Sequence, residues 1–323
     1  MLSSGRKEAI TSALLKNKAL FIVILLAVIM GFLSPVFFTV NNIMNVLRQV
    51  CVATIVACGF SMILGLGDID LSVGSTMGLT GIVMAMLMVR GVPVVLAILA
   101  GVVLGVLIGV VNAFFITRFG LVAFIVTMAT QQVIRGSCYL ITGMLPITNL
   151  PESFVVIGQG YVGAIPIPVF IMILMVAVSW ILINRTKFGR YLLAMGGNPQ
   201  AALVSGINIV KVRYQAFMLS GAIASIAGLM LTSRAASAQP SAGLNMEMDA
   251  IAASVIGGTA MNGGKVNMIG AFFGALLVGV VNNGLNLMGV DSNWQTVSKG
   301  ILIIIAVVLD VSTTWILEGR KKK

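Results

Sequence analysis

A chain of 323 residues that is 59% hydrophobic and only 9% charged, with a mean hydropathy of +1.09, cannot hide its apolar surface in a soluble domain. Its long unbroken apolar runs lack the alternation of a β-barrel, which leaves an all-α polytopic membrane protein. The net charge of +11 then reads as loop charge that orients the spans, and the absence of His excludes imidazole metal sites and His proton relays.

The N-terminal segment 1–18, MLSSGRKEAITSALLKNK, carries charges but no small-residue cleavage site behind a short apolar core. The first apolar run is therefore expected to remain as a spanning helix. A crossing needs roughly 20 apolar residues, and ten transmembrane helices are predicted, at 19–39, 50–67, 73–89, 92–117, 121–143, 166–184, 214–232, 248–260, 268–288 and 295–315. The eighth is short and Gly-rich (DAIAASVIGGTA) and reads either as a crossing or as a half-helix turning inside the protein. The chain thus divides into the segment 1–18, a single transmembrane domain 19–315 and a basic tail 316–323. Cys51, Cys58 and Cys138 sit in or beside apolar runs without metal-ligand spacing and read as small buried hydrophobes.

Ten spans place both termini on one side. Of the 20 basic residues, Arg48, Arg90 and Arg234 fall on the opposite side, Arg135 and Lys299 fall inside spans, and the rest share the side of the termini. The positive-inside rule makes that side the cytoplasm.

After the second span comes GDIDLSVGS, Gly67–Ser75, with Asp68 and Asp70 among only nine acidic residues. Carboxylates beside apolar spans are costly and usually functional or paired. One reading makes Asp68, Asp70 and Ser72 a cytoplasmic contact or gate. The other has Asp70 and Ser72 capping the next helix, with Asp68 solvated. No partner carboxylate or cleft of the glycosidase kind accompanies them. Further on, GVVN occurs at Gly109–Asn112 and again at Gly279–Asn282, each behind a glycine ladder. The echo reads either as an inverted repeat of spans two to five and seven to ten or as a coincidence of a Gly- and Val-rich alphabet. Arg135 with Gln131, and Lys299 with Gln295, form polar patches within spans that face the bundle interior or an aqueous path, or snorkel to an interface. Glu152, Glu247, Asp249 and Asp291 fall in the outward loops, either as docking charges or as a solvated rim.

Between the sixth and seventh spans lies a polar, basic island, 185–213. Asn198 and Pro199 supply a helix cap and first-turn proline, so a short helix from about Pro199 to Ser205 is expected, stopped by Gly206. Ala201 and Ala202 would form a small knob on it, flanked at the membrane surface by Arg185, Lys187, Arg190, Lys211 and Arg213. The alternative is a solvated connector. GGTAMNGGKV, Gly257–Val266, fails as a phosphate loop, because Thr259 stands where the first glycine is required and Val266 follows the lysine. It reads as a Gly-rich turn.

GRYLLAMGGNPQAALVSGINI in that island resembles the cytoplasmic coupling segment of permease subunits of ribose-type ABC importers. GDIDLSVGS, SAQPSAG followed by EMDAIAASVIGGTAMNGGK, and NNGLNLMGV resemble the same family in the same order, over essentially the whole chain. The coupling pattern departs from the Glu-Ala-Ala form of many importers by carrying Gln200, so no role follows for that acid. The resemblance implies a type II importer-like permease of the bacterial inner membrane, not itself an enzyme. It implies a second permease copy or paralogue, a sugar-binding protein outside, and a separate ATPase that holds ATP and Mg; this chain would bind no cofactor, metal or nucleic acid, only membrane lipid. Arg190, Asn198, Pro199, Gln200, Ala201, Ala202, Ser205 and Gly206 would couple to the ATPase. Sugar hydroxyls would suit a weakly polar path, for which Asn112, Thr127, Gln131, Asn282, Asn283 and Asn286 are candidates; helix–helix hydrogen bonding is the other reading of each. The rival function, an ion-coupled secondary transporter of a small polar solute, needs buried acids at mid-membrane, and only Asp310 sits well inside a span.

Overall fold

The computed structural model describes residues 18–291, 293–301, 303–304 and 308. Its helices are α1 (Lys18–Leu33), α2 (Val40–Gly65), α3 (Val73–Val89), α4 (Val94–Phe119), α5 (Ala123–Thr142) and α6 (Glu152–Gln159). A small antiparallel pair, β1 (Tyr161–Val162) and β2 (Ile165–Pro166), precedes α7 (Ile167–Arg185). Then follow α8 (Lys187–Gly197), α9 (Pro199–Val204), α10 (Ile209–Ala235), α11 (Met246–Ile256) and α12 (Met268–Leu287), with residues 293–301 helical again. Most of the tenth predicted span, including Asp310, lies outside the described residues, as do residues 1–17 and the tail 316–323.

Helices α2, α4, α7, α10 and α12 are long and apolar enough to cross a membrane. Even the shortest, α7 with 19 residues, extends about 28 Å at 1.5 Å per residue, close to the hydrocarbon thickness of ~30 Å. Helix α11 has 11 residues, about 16 Å, so the eighth segment is helical over only about half the length of a crossing. The first predicted span also requires correction. Its helix stops at Leu33, ahead of Ser34 and Pro35, and a turn fills the stretch to Thr39. The second span begins ten residues earlier than its apolar run, at Val40. Asn41, Asn42, Asn45, Arg48 and Gln49 disguise that first part. Asn42 is nevertheless buried, exchanging amide hydrogen bonds of 2.9 and 2.8 Å with Asn283 of α12.

Burial follows the composition of each helix. Nearly every residue of α2 from Val50 to Gly65 is enclosed, as expected for a helix apolar all round at the centre of a bundle. By contrast, α4 buries one stripe, Ala97, Gly101, Gly105, Gly109, Asn112, Ala113 and Ile116, and leaves its other faces to lipid. A methyl at Gly105 would collide with the Gly221 carbonyl of α10, so this small-residue stripe sets how closely the two backbones approach. The packing has a two-fold pattern: α3 and α4 lie on α10, α11 and α12 lie on α2, and α2 contacts α10.

Candidate functional site

The polar island folds as a chain of capped helices at the basic end of α7. Thr186 leaves helical geometry (φ −102°, ψ 165°), donates to the Leu182 carbonyl at 2.6 Å and accepts from the Gly189 amide at 3.3 Å, ending α7 and starting α8. Asn198, also extended, accepts from the Ala201 amide at 3.0 Å and caps α9, with Pro199 in its first turn. Ser205 donates to the Ala201 carbonyl at 2.8 Å, and Gly206 turns the chain at φ +81°, a left-handed conformation that favours glycine. Asn208 then caps α10 by accepting from Lys211.

Helix α9 presents a different surface from the one expected. Gln200, Ala201, Ser205 and Gly206 are exposed, as is Arg190 on α8, but Ala202 is only 3% exposed and packs into the core. A six-residue helix must bury one side to stay in place, and Ala202 is on that side. Its outward partners are Leu203 (52% exposed) and Val204 (88%), which sequence reasoning missed. The available signal was the apolar pair Leu203 and Val204 immediately before Ser205 and Gly206.

Behind α9, three glycine-bearing segments meet backbone to backbone. The Gly264 amide donates to the Gly65 carbonyl at 3.0 Å, Gly196 presses on that same carbonyl, and Gly263 lies against Gly196 and Gly67. The GGTAMNGGKV segment is indeed a turn, but one that joins the end of α8 to the end of α2. Gly67, Gly263 and Gly264 all have positive φ.

The GDIDLS loop leaves this junction. Asp68 is paired rather than solvated: Arg213, at the start of α10, donates from Nε to its Oδ2 at 2.8 Å. Burial pushes the Asp68 carboxyl above the ordinary carboxylate value, and the Arg213 guanidinium opposes that push. Asp70 is buried and holds the entry to α3, its Oδ1 accepting from the Ser72 amide (3.0 Å) and hydroxyl (2.6 Å) and its Oδ2 from Ser220 (3.3 Å).

Of the path candidates, Asn112 and Thr127 join this network. Asn112 donates to Ser72 and accepts from Thr130, while Thr127 accepts from the Leu71 amide and lies 3.1 Å from the Ile69 carbonyl. Gln131 donates to Glu247 at 2.9 Å, and Asn283 is held by Asn42. Asn286 is exposed and accepts from Gln295. Asn282 is buried, its Oδ1 without a partner among the described residues. Arg135 is interior, donating to the Pro240, Ala242 and Gly74 carbonyls. Glu247 and Asp249 are not a solvated rim: both are buried, and Lys299 pairs with Asp249 at 2.8 Å. Their place in helix α11, packed beside α2 and α12, takes them out of solvent.

A family model described as "Branched-chain amino acid transport system / permease component" matches residues 42–307. Among curated proteins, the ribose import permease protein of Haemophilus influenzae is 40% identical, covering 92% of this chain and 93% of its own length. That of Bacillus subtilis is 43% identical (88% and 89%), and that of Escherichia coli K12 is 39% identical (95% and 97%). No solved structure matches the chain significantly.

Proposed function

The chain belongs to the branched-chain amino acid transport system / permease component family, and from that premise we propose that it is the membrane subunit of an ATP-driven importer of a monosaccharide, ribose or a related pentose or hexose. The family description names amino acids, but the three relatives reported above, which match almost end to end, are ribose import permeases, which supports a sugar. The ion-coupled alternative is not favoured. Besides those relatives, the buried acids among the described residues each have a protein contact: Ser72 and Ser220 for Asp70, Gln131 for Oε1 of Glu247, whose Oε2 has no partner, and Lys299 for Asp249.

The observation that carries this reading is α9, a capped helix that turns Ala201, Leu203 and Val204 outward at the basic end of the bundle. A separate ATPase, holding ATP and Mg, would receive it in a surface groove. Ten crossings, both termini in the cytoplasm of a bacterial inner-membrane protein, a second permease subunit and an external sugar-binding protein complete the assembly. The packing of α3 and α4 on α10, and of α11 and α12 on α2, supports an inverted repeat, because exchanging spans two to four with seven to nine exchanges these contacts.

In this mechanism ATP-driven closure displaces α9. The glycine junction and the Asp68–Arg213 pair carry that displacement into α2 and α10, and the two halves tilt to open one side of the path. Only differential contact of α9 with the two ATPase states can drive the switch. Asn282 and Asn286 are the candidates left to meet sugar hydroxyls; Asn112, Thr127, Gln131 and Asn283 shape the walls. To test the docking role, Val204→Asp and Ala201→Trp are made in the full complex. Each should weaken co-purification of the ATPase about tenfold, the scale of a buried interface anchor, and cut sugar uptake in parallel. Unchanged assembly and uptake in both would overturn it.

A further inference from the structure

Along the lipid side of α7 runs a groove of about 650 Å³ between α2, α7 and α12, lined wholly by apolar side chains, among them Leu47, Met172, Val176, Trp180, Ile269 and Phe272. It follows α7 from Val169 to Ile181, about 18 Å at the helical rise, and stops about one helical turn short of Arg185. Water has nothing to bond to in such a groove, and leaving it empty forfeits dispersion contacts along its walls. A hydrocarbon chain fits both its length and its chemistry.

The end of the groove identifies the rest of the occupant. Arg185 closes α7 with its guanidinium 5.6 Å from the ring centroid of Trp180, which lines the groove. Arg185, Lys187 and Arg190 are exposed there, and Lys265, also exposed, stands four residues before Ile269. No Asp or Glu occurs between Glu152 and Glu247, so this cluster has no acid from its own stretch of chain. The two ion pairs among the described residues use Arg213 and Lys299 instead. Cations at a membrane surface attract anionic headgroups.

We propose that this groove is a binding site for one anionic phospholipid, with an acyl chain along α7 and its phosphate on Arg185. Retention of this lipid requires neither sugar nor ATPase. The full-length chain is extracted from membranes of phosphatidylethanolamine and phosphatidylglycerol, and its retained lipid is read by native mass spectrometry. One phosphatidylglycerol should remain in preference to phosphatidylethanolamine. Arg185→Gln, a change at an exposed position, should lower that retention about fivefold, the effect of one basic residue at an anionic surface. Val176→Trp, which fills the groove, should abolish it. Equal retention of both lipids by the wild type, no retained lipid because the chain's own segment 1–17 occupies the groove, or unchanged retention in Arg185→Gln overturns the proposal.

Discussion

Gly196→Ala is expected to abolish most sugar uptake, while Gly197→Ala, one residue away, leaves it intact. A methyl at position 196 runs into the carbonyl oxygen of Gly65 and crowds the Gly264 amide that donates to it, whereas a methyl at 197 meets nothing within 4 Å. Overpacking of this kind costs about 1–3 kcal/mol, roughly a tenfold to hundredfold shift in any equilibrium that needs the junction closed. The outward face of α9 is untouched, so the ATPase should still co-purify and hydrolyse ATP. The expected signature in proteoliposomes is therefore hydrolysis without transport. Matching uptake by the two variants would remove the junction from the coupling route. Loss of ATPase binding in Gly196→Ala would instead assign it to docking.

Breaking the Asp68–Arg213 pair should have the next largest effect. The side chains are 14% and 25% exposed, respectively, so neither charge is fully solvated when its partner is removed. Losing a hydrogen bond to a charged group costs about 1.5–3 kcal/mol. Asp68→Asn and Arg213→Gln should each reduce uptake roughly tenfold, by that measure. The exchange Asp68→Arg with Arg213→Asp should recover a large part of it, since the pair acts as a unit in a double-mutant cycle. Strictly additive losses in the exchanged protein would mean that each residue serves something other than its neighbour.

The legible and illegible parts of the fold differ for identifiable reasons. Helices α4 and α7 stand out because they face lipid and must be apolar nearly all round. The start of α2 does not, because Asn42 is polar yet buried, its amide satisfied by Asn283 241 positions away. The cap at Asn198 is local, set by one side chain and an amide three residues on, and is visible in the order of residues. Ala201 and Ala202 look alike in sequence, but a helix of one and a half turns must choose which to bury, and that depends on what packs beneath. Asp68 reads in sequence either as a cytoplasmic contact or as a solvated acid, and only α10 brings it Arg213, 145 residues later.

Composition alone established a helical membrane protein, because so much apolar surface has no other stable home. Residue order located its basic end, its capped island and the glycine-rich turns. Only the tertiary structure decided that these turns form a single junction, and that Asn112, Thr127 and Arg135 fasten loops to helices. The reason is physical: a cap closes within a few residues, whereas a glycine's close approach and a buried amide's partner are set by segments that fold back from far along the chain.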